Sequence, residues 1–393
     1  MKRTTSALLL CAALGCKHGG GAVLSSEAGA AFKPSPRPTT QSSQISIHNL
    51  DGEIDDARER MTRGEAFFRH KLPASLLERA SYLGTTADYD EADTVSAKNV
   101  EIDPTDAGVL ATRAHVLAAL HRFGDALAML DDAAKHGAAG DEVARSRATI
   151  FLATGRCAEA AKIWPAMPYA LDMAARGAME QRLGHAELAE TLFERGRVEF
   201  RDVSPMTFGW MDFERARAFE REGQNAKARV YLEDALEAFP EYAHAAVHAA
   251  AYVPPERAIA MLEIVEKRAD DPDVFAAHAD ALRRMRRDPE ARAMTDRART
   301  RMEDELKKHP EAFADHAARF FLGGGGDVKR ALDLAKAAAG RAPSEEVLEV
   351  WLLAARAANE SAEACAAVKA ADATTCPLRA SRATFDEARK SCK

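Results

Sequence analysis

The chain has 393 residues, of which 47% are apolar, 29% charged and only 6% aromatic. One globular core rarely serves so long a chain, and this alanine-rich, aromatic-poor composition favours helices packed through small side chains over a sheet. The formal net charge of −7 argues against general nucleic-acid binding, which needs a basic surface.

The amino terminus has the layout of a secretion signal. Lys2 and Arg3 precede an apolar run at 7–14, which is too short to cross a bilayer as a helix. The segment at 13–16, ALGC, resembles the bacterial lipobox, in which a peptidase cuts before a cysteine that has received a diacylglyceryl group.

This resemblance implies a signal peptide at 1–15 and a lipidated Cys16. Ala13 stands where the lipobox usually has leucine, so a plain secretory signal with an incidental cysteine remains the alternative. Lys17 after the cysteine implies, by the enterobacterial sorting rule, an outer-membrane lipoprotein facing the periplasm. An inner-membrane or secreted protein is the less favoured location.

Residues 17–46 combine Gly, Ser, Thr, Pro and Gln without periodicity, which predicts a flexible tether over 16–46. Apolar residues at helical spacing then predict an amino-terminal helix at 47–72.

A paired pattern of small residues recurs along the rest of the chain. Two small residues stand twelve positions apart with a turn signal between them, which predicts two antiparallel helices whose axes approach closely. The pairs are Ala80/Ala92, Ala114/Ala126, Ala148/Ala160, Gly177/Ala189, Ala216/Ala228, Ala246/Ala258 and Ala279/Ala291.

The second members of these pairs follow one another at 29 to 39 residues. In two late units, small residues and a proline recur together, as in Ala228, Ala235 and Pro240. The pattern resembles the tetratricopeptide repeat, a 34-residue helix–turn–helix. The resemblance covers residues 73–377 and implies an all-α, right-handed superhelical solenoid of eight or nine hairpins, with a capping helix at 378–393.

In the tetratricopeptide family, partners bind in a groove lined by the first helix of each hairpin. Carrying the inward-facing positions onto this chain gives a candidate groove of aromatic, arginine and histidine side chains: Trp210, Phe213, Arg217, Arg283, His316 and Phe320. The alternative for Trp210 and Phe213 is that they pack between neighbouring hairpins.

Four cysteines follow the anchor region. Cys157 is expected in a buried turn pocket as a small apolar residue. Cys365, Cys376 and Cys392 cluster near the end, and proximity favours a Cys365–Cys376 disulfide that staples the cap. A zinc site is disfavoured, since these cysteines have no C-x-x-C pair or nearby histidine.

Other features give little sign of chemistry. His244 and His248 have the spacing of a metal pair but lack a third ligand, and the GGGG run at 323–326 is expected as a turn before an Asp327 N-cap. Since no catalytic, metal or cofactor constellation stands out, we expect no enzyme activity, no cofactor and no small-molecule substrate.

The sequence therefore favours a non-enzymatic, lipid-anchored envelope scaffold that binds a protein or peptide partner in the groove. The alternatives are an accessory module of a cell-envelope enzyme or cell-wall turnover system, and a cytoplasmic adaptor.

Overall fold

A computed structural model describes residues 40–164 and 170–392, together with residue 34. Within these residues the chain forms twenty helices and no strand. Eighteen of the helices pair into nine consecutive hairpins, so the predicted all-α solenoid is confirmed. Cys11, Cys16 and the signal peptide at 1–15 lie outside the described residues.

In each hairpin the two helices are neighbours in sequence and pack on each other. Hairpins 1 to 9 are formed by α2 (Phe68–Leu83) with α3 (Thr86–Ile102), α4 (Ala107–Ala119) with α5 (Phe123–Lys135), α6 (Gly140–Ala153) with α7 (Cys157–Ile163), α8 (Ala170–Leu183) with α9 (Ala186–Glu199), α10 (Pro205–Arg221) with α11 (Asn225–Ala238), α12 (Ala243–Ala250) with α13 (Pro255–Val265), α14 (Pro272–Arg284) with α15 (Asp288–Lys308), α16 (Pro310–Leu322) with α17 (Val328–Arg341), and α18 (Glu345–Ala357) with α19 (Ser361–Ala373).

The small-residue pairs lie where these helices meet. Each predicted pair has one member on the first helix and one on the second helix of a hairpin, and every member is buried. At Gly177 a Cβ atom would lie 3.1 Å from the carbonyl oxygen of Ala189 and 3.1 Å from the ring of Phe193. The sequence pattern thus correctly assigned the two members of each pair to the two helices of one hairpin.

Two ends of the chain differ from expectation. The predicted helix at 47–72 is two helices: α1 (Ser43–Thr62) starts inside the predicted tether, and residues 63–67 separate it from α2. Gly64, which follows α1, has φ +82°, a left-handed conformation that ends a helix. At the other end, α20 (Arg382–Ser391) lies within the predicted cap.

Successive turns of the superhelix lie directly on one another. The carbonyl oxygen of Gly84, between α2 and α3, accepts hydrogen bonds from the backbone of Asp270 (2.9 Å) and Asp271 (3.1 Å), just before α14. The carbonyl oxygen of Gly155, between α6 and α7, accepts one from the backbone of Thr375 (3.2 Å), beyond α19. Hairpin 1 therefore contacts hairpins 6 and 7, and hairpin 3 contacts hairpin 9.

Glycine is needed at both contact points. Gly84 and Gly155 have φ of +66° and +73°, a region that L side chains rarely adopt. A Cβ atom on Gly155 would also lie 2.7 Å from the carbonyl oxygen of Pro343. The two turns that reverse the chain are thus also the places where one superhelical turn meets the next.

The disulfides differ from the predicted pairing. Cys157 is bonded to Cys376, and Cys365 to Cys392, so the expected Cys365–Cys376 bridge is wrong. Cys365 lies in the first half of α19, whereas Cys376 lies beyond its end. The eight residues from Cys365 to the end of that helix rise about 12 Å, too far for a disulfide. Cys157 is buried as expected, but its sulfur is bonded.

Among the described residues, no helix combines the length and apolarity that crossing a membrane requires.

Candidate functional site

The predicted groove residues fall into two groups. Trp210, Phe213 and Arg217 lie on α10, where every residue is buried. Trp210 is 3% exposed and Phe213 is 2% exposed, so neither can contact a partner in this conformation. The expectation that these residues line an accessible groove is therefore wrong, and the alternative, packing against a neighbouring hairpin, is correct for Phe213.

Phe213 shows what replaces a partner on α10. Its ring packs edge-on against Tyr242 and against His248, with centroids 5.3 Å apart in each case. Nδ1 of His248 donates to Glu220 at 2.9 Å, and Arg217 donates to Nε2 of His248 at 3.4 Å. His248 thus belongs to a buried hydrogen-bonded group and not to a metal pair with His244.

The interior also contains a central charge cluster, formed by Arg182 on α8, Arg217 and Arg221 on α10, and Glu346 on α18. Oε1 of Glu346 accepts from Nε of Arg221 at 3.0 Å and lies 3.6 Å from Nη2 of Arg217 and 4.0 Å from Nη2 of Arg182. Burial alone would raise the pKa of Glu346, but the three guanidinium groups hold it well below its usual range. Glu346 therefore carries a charge that joins hairpins 4 and 5 to hairpin 9.

The second group of predicted residues, Arg283, His316 and Phe320, lines an accessible pocket between the first helices of hairpins 7, 8 and 9. We call it the α14–α18 pocket; its volume is about 450 Å³, within the range of ligand sites, about 300–1,000 Å³. Its lining consists of Asp273, Ala276, Ala279, Asp280, Arg283, Thr295, His316, Arg319, Phe320, Leu322, Gly323, Gly324, Glu346, Glu349, Val350 and Leu353.

His316 is the central polar group of the α14–α18 pocket. Its Nδ1 donates to Oδ2 of Asp273 at 2.5 Å, which links α16 to α14. Burial alone would lower the pKa of His316, but the carboxylates of Asp315 and Asp273 raise it to about 9. The imidazole is therefore protonated at neutral pH, and both ring nitrogens carry hydrogen.

Two arginines line the same pocket. Nη1 of Arg319, one helical turn further along α16, donates to Oδ2 of Asp315 at 3.2 Å. Arg283 on α14 donates to Asp280 and to Thr295. The pocket is thus lined by three positive side chains, each bonded to a carboxylate of the same chain.

The GGGG run forms one wall. It connects α16 to α17 as predicted, and Asp327 caps α17 by accepting from the backbone of Arg330 at 3.0 Å. A Cβ atom on Gly324 would lie 2.8 Å from Nη1 of Arg283, and one on Gly325 would lie 2.8 Å from the Phe320 ring. Glycine therefore allows Arg283 and Phe320 to lie against this loop.

Part of the lining is apolar. Val350 and Leu353 of α18 and Phe320 and Leu322 of α16 supply it, and Leu353 keeps 39% of its surface exposed. A cleft with an apolar wall and a few fixed polar groups is the usual form of a binding site.

Several residues that line the α14–α18 pocket were not predicted from the sequence. Asp273 was not singled out, although it holds His316, and the α18 residues were not assigned to the groove. Arg319 follows His316 by three residues on the same helix, a spacing that places both on one face and could have identified it. Nothing local in the sequence indicates that Asp273, 43 residues earlier, reaches His316.

The described part of the chain contains no group of three or more histidine, cysteine, aspartate or glutamate side chains arranged to hold a metal ion. His244 is enclosed beside His316 and His248, and burial together with these neighbours lowers its pKa to about 4.

No family model matches the chain, and no curated protein matches it in sequence. Among solved structures, the human IFIT1 dimer with PPP-AAAA aligns with 84% of this chain and 78% of its own, at 14% identity and a TM-score of 0.37. YrrB, a TPR protein with an unusual peptide-binding site, aligns with 54% of this chain and 94% of its own, at 15% identity and a TM-score of 0.27. At these levels of similarity, nothing that either protein binds is carried over to this chain.

Proposed function

We propose that this chain is a non-enzymatic, lipid-anchored scaffold of the cell envelope that holds a short segment of a partner protein in the α14–α18 pocket. The observation that carries the proposal is the pocket itself. The α10 part of the predicted groove is filled by the protein's own side chains, whereas Arg283, His316 and Phe320 line an accessible cleft.

The size and lining of the pocket suit a few residues of extended peptide. The rim residue Leu353 offers apolar contact, and Arg283 and His316 supply hydrogen-bond donors that fix an orientation. Aromatic and arginine side chains in a pocket are common anchors of protein interfaces.

The disulfides support an envelope location. The four described cysteines are all paired, and such bonds persist in the periplasm but are rare in the reducing cytosol. This favours export over a cytoplasmic adaptor. The lipobox resemblance at 13–16 supports the anchor and, through Lys17, the outer membrane.

A site-specific photocrosslinker tests the proposal in cells that make the full chain. Placed at Leu353 on the pocket rim, it should give a discrete crosslinked partner that is lost when Arg283→Ala is added. The matched control position is Leu188 on α9, which is similarly exposed at 43% but does not line the pocket. Absence of a crosslink at Leu353, or the same products at both positions, would refute partner binding in the pocket.

A further inference from the structure

The α14–α18 pocket contains a positively charged hydrogen-bond donor, Nε2 of His316, without an acceptor. Nδ1 of His316 is bonded to Asp273, but no described residue accepts a hydrogen bond from Nε2. The carboxylate oxygen Oδ1 of Asp315 lies 3.9 Å from Nε2, beyond hydrogen-bond distance. This protonated imidazole is largely enclosed and has a hydrogen-bond acceptor at one ring nitrogen. It therefore needs an acceptor at the other nitrogen as well.

The charges around His316 favour an anionic acceptor. Asp273 and Asp280 each accept a hydrogen bond from a positive side chain, and Glu346 forms ion pairs with three arginines. A ligand carboxylate would therefore be attracted to the protonated ring of His316 and to Arg319 on α16.

The apolar wall adds a second requirement. Phe320 and Leu322, which follow His316 on α16, and Val350 and Leu353 on α18 form the apolar part of the lining. A side chain next to the carboxylate would lie against this wall, where only an apolar group gains from burial.

Building on the proposed function, we propose that the α14–α18 pocket selects partner segments in which a carboxylate lies beside an apolar side chain, with Nε2 of His316 donating to that carboxylate. The carboxylate can come from an acidic side chain or from a chain terminus, since both present the same two oxygens.

Four fluorophore-labelled peptides test this with the purified full chain. GSGSL with a free carboxyl terminus is compared with its amide, and amidated GSELGS is compared with amidated GSQLGS. Fluorescence anisotropy should show at least one carboxylate peptide binding about tenfold more tightly than its neutral counterpart, as expected for a charge-assisted hydrogen bond. The pair that shows the difference identifies the source of the carboxylate.

His316→Gln should reduce this preference to about threefold or less, since glutamine can donate but carries no charge. His136→Gln, at an exposed histidine after α5, is the matched control and should leave the preference unchanged. Equal binding of acidic and neutral peptides, or an unchanged preference in His316→Gln, would overturn the inference.

A second pair of variants covers the case that His316→Gln does not fold. Leu353 is on the rim and exposed, so Leu353→Lys and Leu353→Glu should both fold. The lysine variant should bind the carboxylate peptide at least about threefold more tightly than the glutamate variant, with equal binding of the neutral peptide. Equal affinities for the carboxylate peptide would overturn the inference.

Failure here is separable from failure of the proposed function. If the crosslink at Leu353 forms but no peptide shows a carboxylate preference, the pocket binds a partner by other chemistry and only the present inference is wrong. If the crosslink does not form, partner binding in the pocket is refuted whatever the peptides show.

Discussion

Cys157 at the start of α7 is disulfide-bonded to Cys376, which lies 219 residues later and beyond the end of α19. Beside this bond, the backbone of Thr375 donates to the carbonyl oxygen of Gly155. The covalent bond therefore fastens one turn of the superhelix to the next. A solenoid with these contacts is no longer a chain of hairpins that touch only their neighbours in sequence.

Removing this bond should destabilise the protein more than removing the other one. The Cys157→Ala, Cys376→Ala double variant should lose about 3–5 kcal/mol of unfolding free energy, because the bond closes a long loop in the unfolded chain. Replacing Cys365 and Cys392, which close a loop of 27 residues, should cost about 2–4 kcal/mol. Urea denaturation of both variants measures the difference; a smaller loss for Cys157 and Cys376 would contradict it.

The hairpins could be predicted because their information is local. A small residue at a helix crossing, such as Ala216 against Ala228, is required by the distance between two adjacent helix axes, and its partner stands twelve residues away. The same register selected Arg283, His316 and Phe320, which line the α14–α18 pocket.

Which inward-facing residues stay accessible could not be predicted in the same way. Trp210 and Phe213 occupy inward positions like that of Phe320, yet both are buried. Phe213 packs on Tyr242 and His248 of the next hairpin, and α10 also contacts elements far away in sequence. Arg221 and Glu346, for example, are 125 residues apart and 3.0 Å from each other. How tightly a solenoid winds depends on small rotations summed over many hairpins, and no single repeat encodes that sum.

Glu346 should be essential to the contact between turns. Glu346→Gln would leave the buried guanidinium groups of Arg182, Arg217 and Arg221 without their common carboxylate, and breaking a buried ion pair in this way costs about 3–5 kcal/mol. The exposed Glu187→Gln on α9 serves as control and should stay within about 0.5 kcal/mol of the parent protein. Equal unfolding free energies for the two variants would show that the central charge cluster contributes no net stability.

Acid should weaken the same contact. Because the pKa of Glu346 is depressed in the folded state, its contribution is present above its unfolded pKa, about 4.5, and is lost as the pH falls through the lower folded value. The unfolding free energy of the parent protein should therefore fall more steeply with acid than that of Glu346→Gln. Parallel pH profiles would contradict this.

The membrane anchor predicts a simple change in fractionation. Cys16→Ala should move the protein from the membrane fraction to the soluble fraction, because the acyl chains attached to Cys16 would supply its hold on the bilayer. Cys11→Ala removes a cysteine within the expected signal peptide and should leave fractionation unchanged. Retention of Cys16→Ala in the membrane fraction would refute lipid anchoring at this residue.

His316 should make stability depend on pH in the alkaline range. Its pKa rises from 6.5 to about 9 on folding, so its contribution is complete below pH 6.5 and is lost as the pH rises through 9. The shift corresponds to a contribution on the order of 3 kcal/mol at neutral and lower pH. Asp271 at the start of α14, Asp273 on α14, and Asp315 and Arg319 on α16 are charged groups near the ring, and His244 on α12 is already neutral there. Urea denaturation between pH 6 and pH 10 should show the parent protein and His136→Gln losing stability more steeply than His316→Gln. If the unfolding free energies of the three proteins fell equally steeply with pH, Asp273 and Asp315 would not stabilise the protonated ring. His316 would then be neutral at the pH of the cell.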